Sequence, residues 1–203
     1  MAADSADRHL VELDPSEPIW DSFFSVAPLV VIGTVEPDGR ADLAPKHMAG
    51  PMAWTNLFGF VCAPDHATYR NILRTGQFTV SYPRPDDVLF ASLAAAPRLD
   101  DASKPSLLAV PTMPATVVDG VVLVAASLYL ECELDRTVED LDDNSLVIGR
   151  IVAARVDADA RRDPDRDDAD VLAAVPLLAY LPPSFFASIA NGNSFPFHLG
   201  WRR

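Results

Sequence analysis

Proline is the residue that most limits what this chain can fold into. The 203 residues contain eighteen prolines and only nine glycines. Proline breaks helices and the interior of central strands, so the sequence predicts short elements joined by many ordered turns. Apolar residues make up 49% of the chain, which at this length is enough for one domain with its own hydrophobic core. We therefore expect residues 1–203 to form a single domain.

Short apolar runs bounded by turn residues predict about seven or eight strands. The run over 29–35, the turn Pro37-Asp38-Gly39 and a strand over 40–48 form a predicted hairpin. In residues 127–134 the alternation places leucines and Cys132 on one face and Glu131 on an exposed face. A second hairpin turns at Asp119-Gly120. The remaining predicted strand segments are 57–62, 78–82, 116–124 and 146–156.

Two short helices and three peripheral segments complete the predicted fold. The helices cover 66–75, ended by Gly76, and 88–96, ended at Pro97. Residues 20–24, which include Trp20, Phe23 and Phe24, suggest a short helix over a core that extends to about residue 156. Residues 157–170 read as a charged surface loop, and the aromatic, loop-rich segment 171–203 should pack on the barrel or on a partner subunit. The whole indicates a mainly β fold with α additions, a closed antiparallel barrel.

Net charge and hydropathy exclude several classes of partner. The chain carries 29 acidic and 16 basic side chains, a formal charge of −13. Such a chain repels polyanions, so nucleic acid and anionic membranes are poor partners. The acidic N-terminus lacks a signal-peptide pattern, and no apolar run approaches the roughly 20 residues that span a bilayer. We expect a cytoplasmic protein in which Cys62 and Cys132 are buried hydrophobes.

Motifs for self-contained catalysis are absent from the sequence. No GxGxxG follows a strand, and neither a Walker A loop nor a GxSxG elbow is present. The four histidines are scattered without an HExxH pattern, so no metal site is predicted. If the chain is an enzyme, a bound organic cofactor is the natural carrier of its chemistry.

The start of the first predicted helix is a candidate phosphate site. A helix N-terminus offers unpaired N–H groups and partial positive charge, to which His66, Thr68, Arg70 and Asn71 add donors. The alternative is structural: Asp65 caps the helix and Asn71 bonds locally.

The segment 44–51 is a candidate site for a flat aromatic ligand. Its small residues would leave main-chain groups free to meet the polar edge of such a ligand, although an ordinary turn is the alternative. Lys104 alone, in an acidic stretch, is typical of a solvated surface lysine, and Asn144 alone is uninformative.

The order of these segments resembles one family closely. DLAPKHMAG, then LFGFVCA, then HATYRNILRTGQFTVSYP follow a first apolar strand, with Ser103-Lys104, Leu130-Glu131-Cys132 and DNSLVIGRI further on. This pattern resembles the flavin reductase-like family of FMN-binding split antiparallel β-barrels, over about residues 26–156, with a looser match at 176–180.

The resemblance implies FMN bound at the interface of a homodimer. It implies that the loop 45–51 lines the isoalloxazine and ribityl chain, and that Thr68, Asn71 and Lys104 hold the phosphate. The chain departs from the family pattern at Lys46 and His47, at 54–56, and at Asn144, where a histidine is common. The implied cofactor-binding set is Pro45, Lys46, His47, Met48, Ala49, His66, Thr68, Asn71, Lys104 and Asn144.

Three functions are compatible with this set. The first is an NAD(P)H-dependent flavin reductase, with NADH or NADPH as reductant, that supplies reduced flavin to a partner monooxygenase or electrons to another acceptor. The second is a flavoredoxin-like electron carrier with tightly bound FMN. The third is a non-catalytic flavin-binding module, or a pocket that has changed its ligand.

Overall fold

The computed structural model describes residues 9–124 and 126–196. Within them the chain forms twelve strands and three α-helices. The helices are α1 (Ala67–Thr75), α2 (Val88–Ala94) and α3 (Asp168–Ala174). The strands are β1 (Ala27–Pro28), β2 (Val30–Val35), β3 (Ala41–Lys46), β4 (Ala49–Pro51), β5 (Leu57–Cys62), β6 (Gln77–Pro83), β7 (Thr112–Pro114), β8 (Val121–Leu123), β9 (Ala126–Leu141), β10 (Asn144–Val156), β11 (Leu177–Leu181) and β12 (Phe185–Ile189).

Seven of these strands make one antiparallel sheet in the order β3-β2-β6-β9-β10-β5-β4. The sheet curls into a half-barrel, so the predicted mainly β fold with α additions is confirmed, whereas the predicted closure of the barrel is wrong because the end strands β3 and β4 do not pair with each other. Its inner face carries the larger core, in which Phe60 and Phe78 meet edge to face at 5.5 Å and helix α1 adds Ile72. The other face packs against α2, with Val31 and Leu43 buried there.

The longest strands lie in the longest proline-free part of the chain. No proline occurs between Pro114 and Pro164, and β9 and β10 span 16 and 13 residues there as one hairpin. The expectation of uniformly short elements is therefore wrong for this stretch. Elsewhere the predicted strands and the helices α1 and α2 are confirmed to within a few residues. At the end of α1, Gly76 adopts φ +70° and donates its N–H to the Ile72 carbonyl at 2.8 Å.

The predicted hairpin over 116–124 has a different first strand. Val121–Leu123 pairs with Thr112–Pro114, whereas residues 116–118 leave the ladder. They instead surround Glu131, whose residue surface is 1% exposed. The prediction of an exposed Glu131 is therefore wrong, because a separate segment covers that face of β9.

The C-terminal segment is more regular than predicted. Helix α3 begins where the Asp167 side chain accepts a hydrogen bond from the Ala169 N–H at 2.7 Å, and the strands β11 and β12 follow. Strand β11 pairs with β1, so this segment packs on the rest of the fold through β1. Phe197 and Trp201 of the predicted aromatic segment, and residues 1–8 of the N-terminal arm, lie outside the described residues.

Residues 20–24 do not cover the core as expected. They form a 3₁₀ turn over Trp20–Ser22, and Trp20 and Phe24 stay 68% and 67% exposed. Both cysteines are buried, as predicted, and they form no disulfide with each other. Among the described helices, none has the length and apolar character needed to cross a membrane.

Candidate functional site

A cavity of about 440 Å³ brings together three segments that are far apart in sequence. Its walls come from the end of β3, the start of α1 and the end of α2 with the segment after it. We call it the basic cavity. Five residues of the predicted set line it: Pro45, Lys46, His66, Thr68 and Lys104. The predicted phosphate seat, the first part of the predicted loop and the predicted lysine thus share one space.

The basic cavity carries positive charge in an acidic chain. Four basic side chains line it, with two aspartates, Asp42 and Asp65: the basic ones are Lys46, Arg70, Arg98 and Lys104. A protein with a formal charge of −13 repels anions at long range, so a local excess of cations marks the place where a small anion can still bind.

The N-terminus of α1 is open toward this cavity. His66 occupies the N-cap position without a side-chain hydrogen bond to the helix, and no acidic residue lies in the first turn. The alternative that Asp65 caps the helix is not observed, because His66 is the N-cap residue. The main-chain carbonyl of Asp65, and not its side chain, forms a hydrogen bond there, which it accepts from the Arg70 side chain. The first N–H groups of a helix have no partner within the helix. Together with the buried Thr68, they form a site suited to phosphate.

Lys104 is a buried cation and not a solvated surface lysine. Its side chain is 11% exposed, and Nζ donates to the carbonyls of Leu43 at 2.8 Å and Ala94 at 2.5 Å. It therefore links β3 to the end of α2. Burial lowers the pKa of Lys104, while the neighbouring Asp42 carboxylate acts in the opposite direction. The ammonium contributes charge to the basic cavity from a fixed position.

A second cavity of about 310 Å³ adjoins the first and is mostly apolar. The two share Pro45 and Ala95. One wall of the second cavity is formed by His47 and Tyr180, whose ring centroids are 5.1 Å apart. Phe185 and Phe186 of β12 complete that wall, and we call this space the aromatic cavity. Burial first, and then the charge of Lys46, lower the pKa of His47, which favours its neutral form.

Comparison with known proteins identifies the family. The sequence model of the family described as "Flavin reductase like domain" matches residues 24–181 of this chain. The chain belongs to the flavin reductase-like family. The match extends beyond the predicted 26–156 to include β11 and therefore Tyr180, which the sequence analysis reached only through a looser match.

Solved structures similar to this flavin reductase-like chain share its fold. Flavoredoxin of Desulfovibrio vulgaris is 22% identical, with 87% of this chain and 93% of that chain covered and a TM-score of 0.72. Nitrilotriacetate monooxygenase component B from Bacillus cereus is 19% identical, with 94% and 100% covered and a TM-score of 0.76. A split barrel domain structure from Shewanella frigidimarina is 19% identical, with 86% and 87% covered and a TM-score of 0.75.

The other predicted residues of this flavin reductase-like chain lie outside the two cavities, apart from His47. Asn71 is 3% exposed and donates Nδ2 to Thr34 Oγ1 at 3.1 Å. The Met48 side chain is exposed, while its carbonyl accepts from the Val61 N–H at 2.9 Å. Ala49 begins β4 and Asn144 begins β10. Sequence reasoning missed Arg98, for which no signal exists in its local sequence.

Proposed function

We propose that this chain is a cytoplasmic FMN-binding oxidoreductase, an NAD(P)H-dependent flavin reductase that supplies reduced flavin or electrons to a partner such as a monooxygenase. The observation that carries the proposal is the junction of the two cavities at Pro45 and Ala95. One cavity is basic and suits a phosphate, and its neighbour is aromatic and suits a flat ring. FMN has these two ends joined by a flexible ribityl chain.

The residues present fit the phosphate end of FMN. Lys46, Arg70, Arg98 and Lys104 supply cations, and the uncapped first turn of α1 supplies N–H groups with Thr68. A phosphate ester carries nearly two negative charges and three acceptor oxygens, which such a donor set satisfies. In this proposal Lys104 acts as a point charge from within the wall, because two of its three N–H groups already serve Leu43 and Ala94.

The aromatic cavity fits the ring end. When bound, FMN would supply hydride and electron transfer, so no side chain need act as acid or base. The protein's part is to hold the ring against Tyr180 and His47 and to exclude water. Lys46 lines the basic cavity and His47 the aromatic one, so the two neighbours have separate tasks. Lys46 provides positive charge for the phosphate, and His47 provides contact area for the ring.

Several features support a homodimer. Trp20, Phe24 and Phe185 are 68%, 67% and 58% exposed, and the Phe24 and Phe185 rings meet edge to face at 5.6 Å. Apolar surface of this kind marks an interaction site, and a second copy would bury it in an isologous contact. Because Phe185 also lines the aromatic cavity, the partner subunit would close one side of the ring site.

The test is the visible absorption spectrum of the purified protein mixed with FMN, before and after anaerobic NADH or NADPH. Flavin that co-elutes with the protein and bleaches on addition of either nicotinamide supports the reductase. Flavin that co-elutes without bleaching, but is reduced by dithionite, would favour the flavoredoxin-like carrier. A folded protein that retains no flavin after incubation with excess FMN would contradict the proposal. Light scattering of the same sample measures the oligomeric state.

A further inference from the structure

The carboxylate of Asp42 lies in the wall of the basic cavity without a well-aligned hydrogen-bond donor. Its side chain is 4% exposed. Arg98 Nη2 forms an ion pair with Oδ1 at 2.8 Å, but the pair lacks the geometry of a hydrogen bond. Lys104 Nζ is 3.8 Å away, beyond hydrogen-bond distance. Asp42 is therefore a buried anion with neighbouring charges but poor local solvation.

Both cations donate hydrogen bonds to acceptors other than Asp42. Arg98 donates to the Glu36 carboxylate and to the Ala102 carbonyl. Lys104 donates to the Leu43 and Ala94 carbonyls. A buried carboxylate is stabilised in its charged form chiefly by aligned donors, and without them it binds a proton more readily.

The charged surroundings of Asp42 are specified by the structure. Lys104, Arg98 and Glu36 act on it directly. Lys46, Asp65, His66 and Arg70 line the same cavity, and Arg40 lines a neighbouring one that Asp42 also borders. Burial raises the pKa of Asp42, Lys104 and Arg98 lower it, and Glu36 raises it again, with a net rise. A phosphate brought into the cavity adds further negative charge next to this carboxylate.

We propose that Asp42 takes up a proton when a phosphate ester enters the basic cavity, so that phosphate recognition is coupled to pH. The inference rests on the proposed function in using FMN as the ligand. Protonation removes the repulsion between Asp42 and the phosphate and leaves the charges of Lys104 and Arg98 to the ligand. The affinity for the phosphate ester is then highest at pH values below the pKa that Asp42 has in the ligand-free protein. The affinity falls as the pH rises from there toward the higher pKa that Asp42 has in the complex, and it is constant above that value.

The experiment compares FMN affinity of the wild type and Asp42→Asn across roughly pH 5 to 8.5, a range that spans a raised carboxyl pKa. Flavin fluorescence reports binding. The second ionisation of free FMN, near pH 6, is common to both titrations and cancels in the ratio of the two affinities, so the ratio reports the coupling between Asp42 and the bound phosphate. Asp42→Asn should bind FMN about tenfold more tightly at the upper end, which corresponds to a shift of one pKa unit, and the ratio should approach one at the lower end.

Riboflavin, which lacks the phosphate, is the matched ligand control, and its affinity ratio should not change with pH. Asp42→Ser provides a second neutral side chain in case the asparagine variant does not fold, as judged by circular dichroism. FMN that binds both proteins with a ratio independent of pH would overturn the role of Asp42 and leave the proposed function intact. Failure of folded wild type to bind FMN at any pH would overturn both.

Discussion

The Thr79 hydroxyl donates a 2.6 Å hydrogen bond to the Val121 carbonyl, and this bond passes directly beside Gly33. A Cβ placed on Gly33 would lie 2.3 Å from Thr79 Oγ1 and 2.5 Å from the Val121 oxygen. The glycine in β2 is therefore what allows β8 to reach the sheet. This contact fixes the segment that runs from β8 into the long strand β9.

Gly33→Ala should destabilise the protein because the new methyl group cannot fit without moving Thr79 or the backbone of β8. We expect a loss of about 2–3 kcal/mol in the free energy of unfolding, as for other overpacked positions. Denaturant titration followed by circular dichroism measures it. Gly50→Ala is the matched control, since a Cβ there meets nothing within 4 Å and the φ angle is unexceptional. Equal stability of the two variants would show that the contact at Gly33 is relieved at little cost.

A second prediction concerns Glu131, which organises the segment before β8. Its carboxylate accepts hydrogen bonds from the Thr116 hydroxyl at 2.6 Å and from the N–H groups of Thr116, Val117 and Val118. Burial alone would raise the pKa of Glu131, but these donors outweigh it and hold the pKa below its usual value. The stabilisation is present above the pKa of the unfolded state and is lost as the pH falls through the lower folded-state pKa.

Glu131→Gln should therefore cost about 2–3 kcal/mol near neutral pH, since an amide leaves some of those buried donors unpaired. The loss relative to wild type should shrink as the pH is lowered through the acid range. Denaturant titration at several pH values measures both effects. Glu133→Gln, on the same face of β9 but exposed, is the control and should change stability little. A pH-independent difference between Glu131→Gln and wild type would argue against a charged Glu131.

Strand β5 and Glu131 illustrate which features the sequence predicts and which it does not. Strand β5 was predicted with its observed bounds because a short aromatic run between turn residues leaves few alternatives. Glu131 was assigned to an exposed face because alternation reveals two faces of a strand but not what covers each. The strand predicted at 116–118 is wrong for the same reason. Valines there predict that the segment is buried, but they do not predict which strand it pairs with.

The candidate site divides in the same way. Thr68 and Lys46 were predicted because each lies at the end of an element that the local sequence predicts. Thr68 lies in the first turn of α1, and Lys46 lies at the end of a strand. Arg98 and Tyr180 reach the cavities only through the folded arrangement of α2 and β11, which a linear pattern does not encode. Asn71 fits the family motif, yet in the structure its side chain bonds to Thr34, which leaves its predicted role in phosphate binding as a prediction.

A third prediction separates the phosphate and ring ends of the ligand at Lys104. Lys104→Met should weaken FMN affinity about tenfold by removing a buried cation from the basic cavity, while riboflavin affinity changes little. It should also cost about 1–2 kcal/mol in stability, because the carbonyls of Leu43 and Ala94 lose their donor. Fluorescence titration and thermal melting measure these effects. Arg161→Gln removes one positive charge in the charged segment outside both cavities and serves as the control. Equal weakening for both ligands would remove Lys104 from the phosphate site.

The fourth prediction tests the ring end at Tyr180. Tyr180→Leu removes the ring that faces His47 at 5.1 Å, so affinities for FMN and riboflavin should fall together, by about fivefold to tenfold, as expected for loss of about one aromatic contact. Tyr180→Phe is the matched control, because it keeps the ring and loses only the hydroxyl, which donates to the Pro183 carbonyl. Its flavin affinities should stay near those of the wild type. Two outcomes would show that the isoalloxazine is not held by contact with the Tyr180 ring. In one, Tyr180→Leu lowers FMN affinity alone; in the other, Tyr180→Phe lowers both affinities as strongly as Tyr180→Leu. Because Lys104→Met should separate the two ligands and Tyr180→Leu should not, the pair of variants assigns each end of the flavin to one cavity.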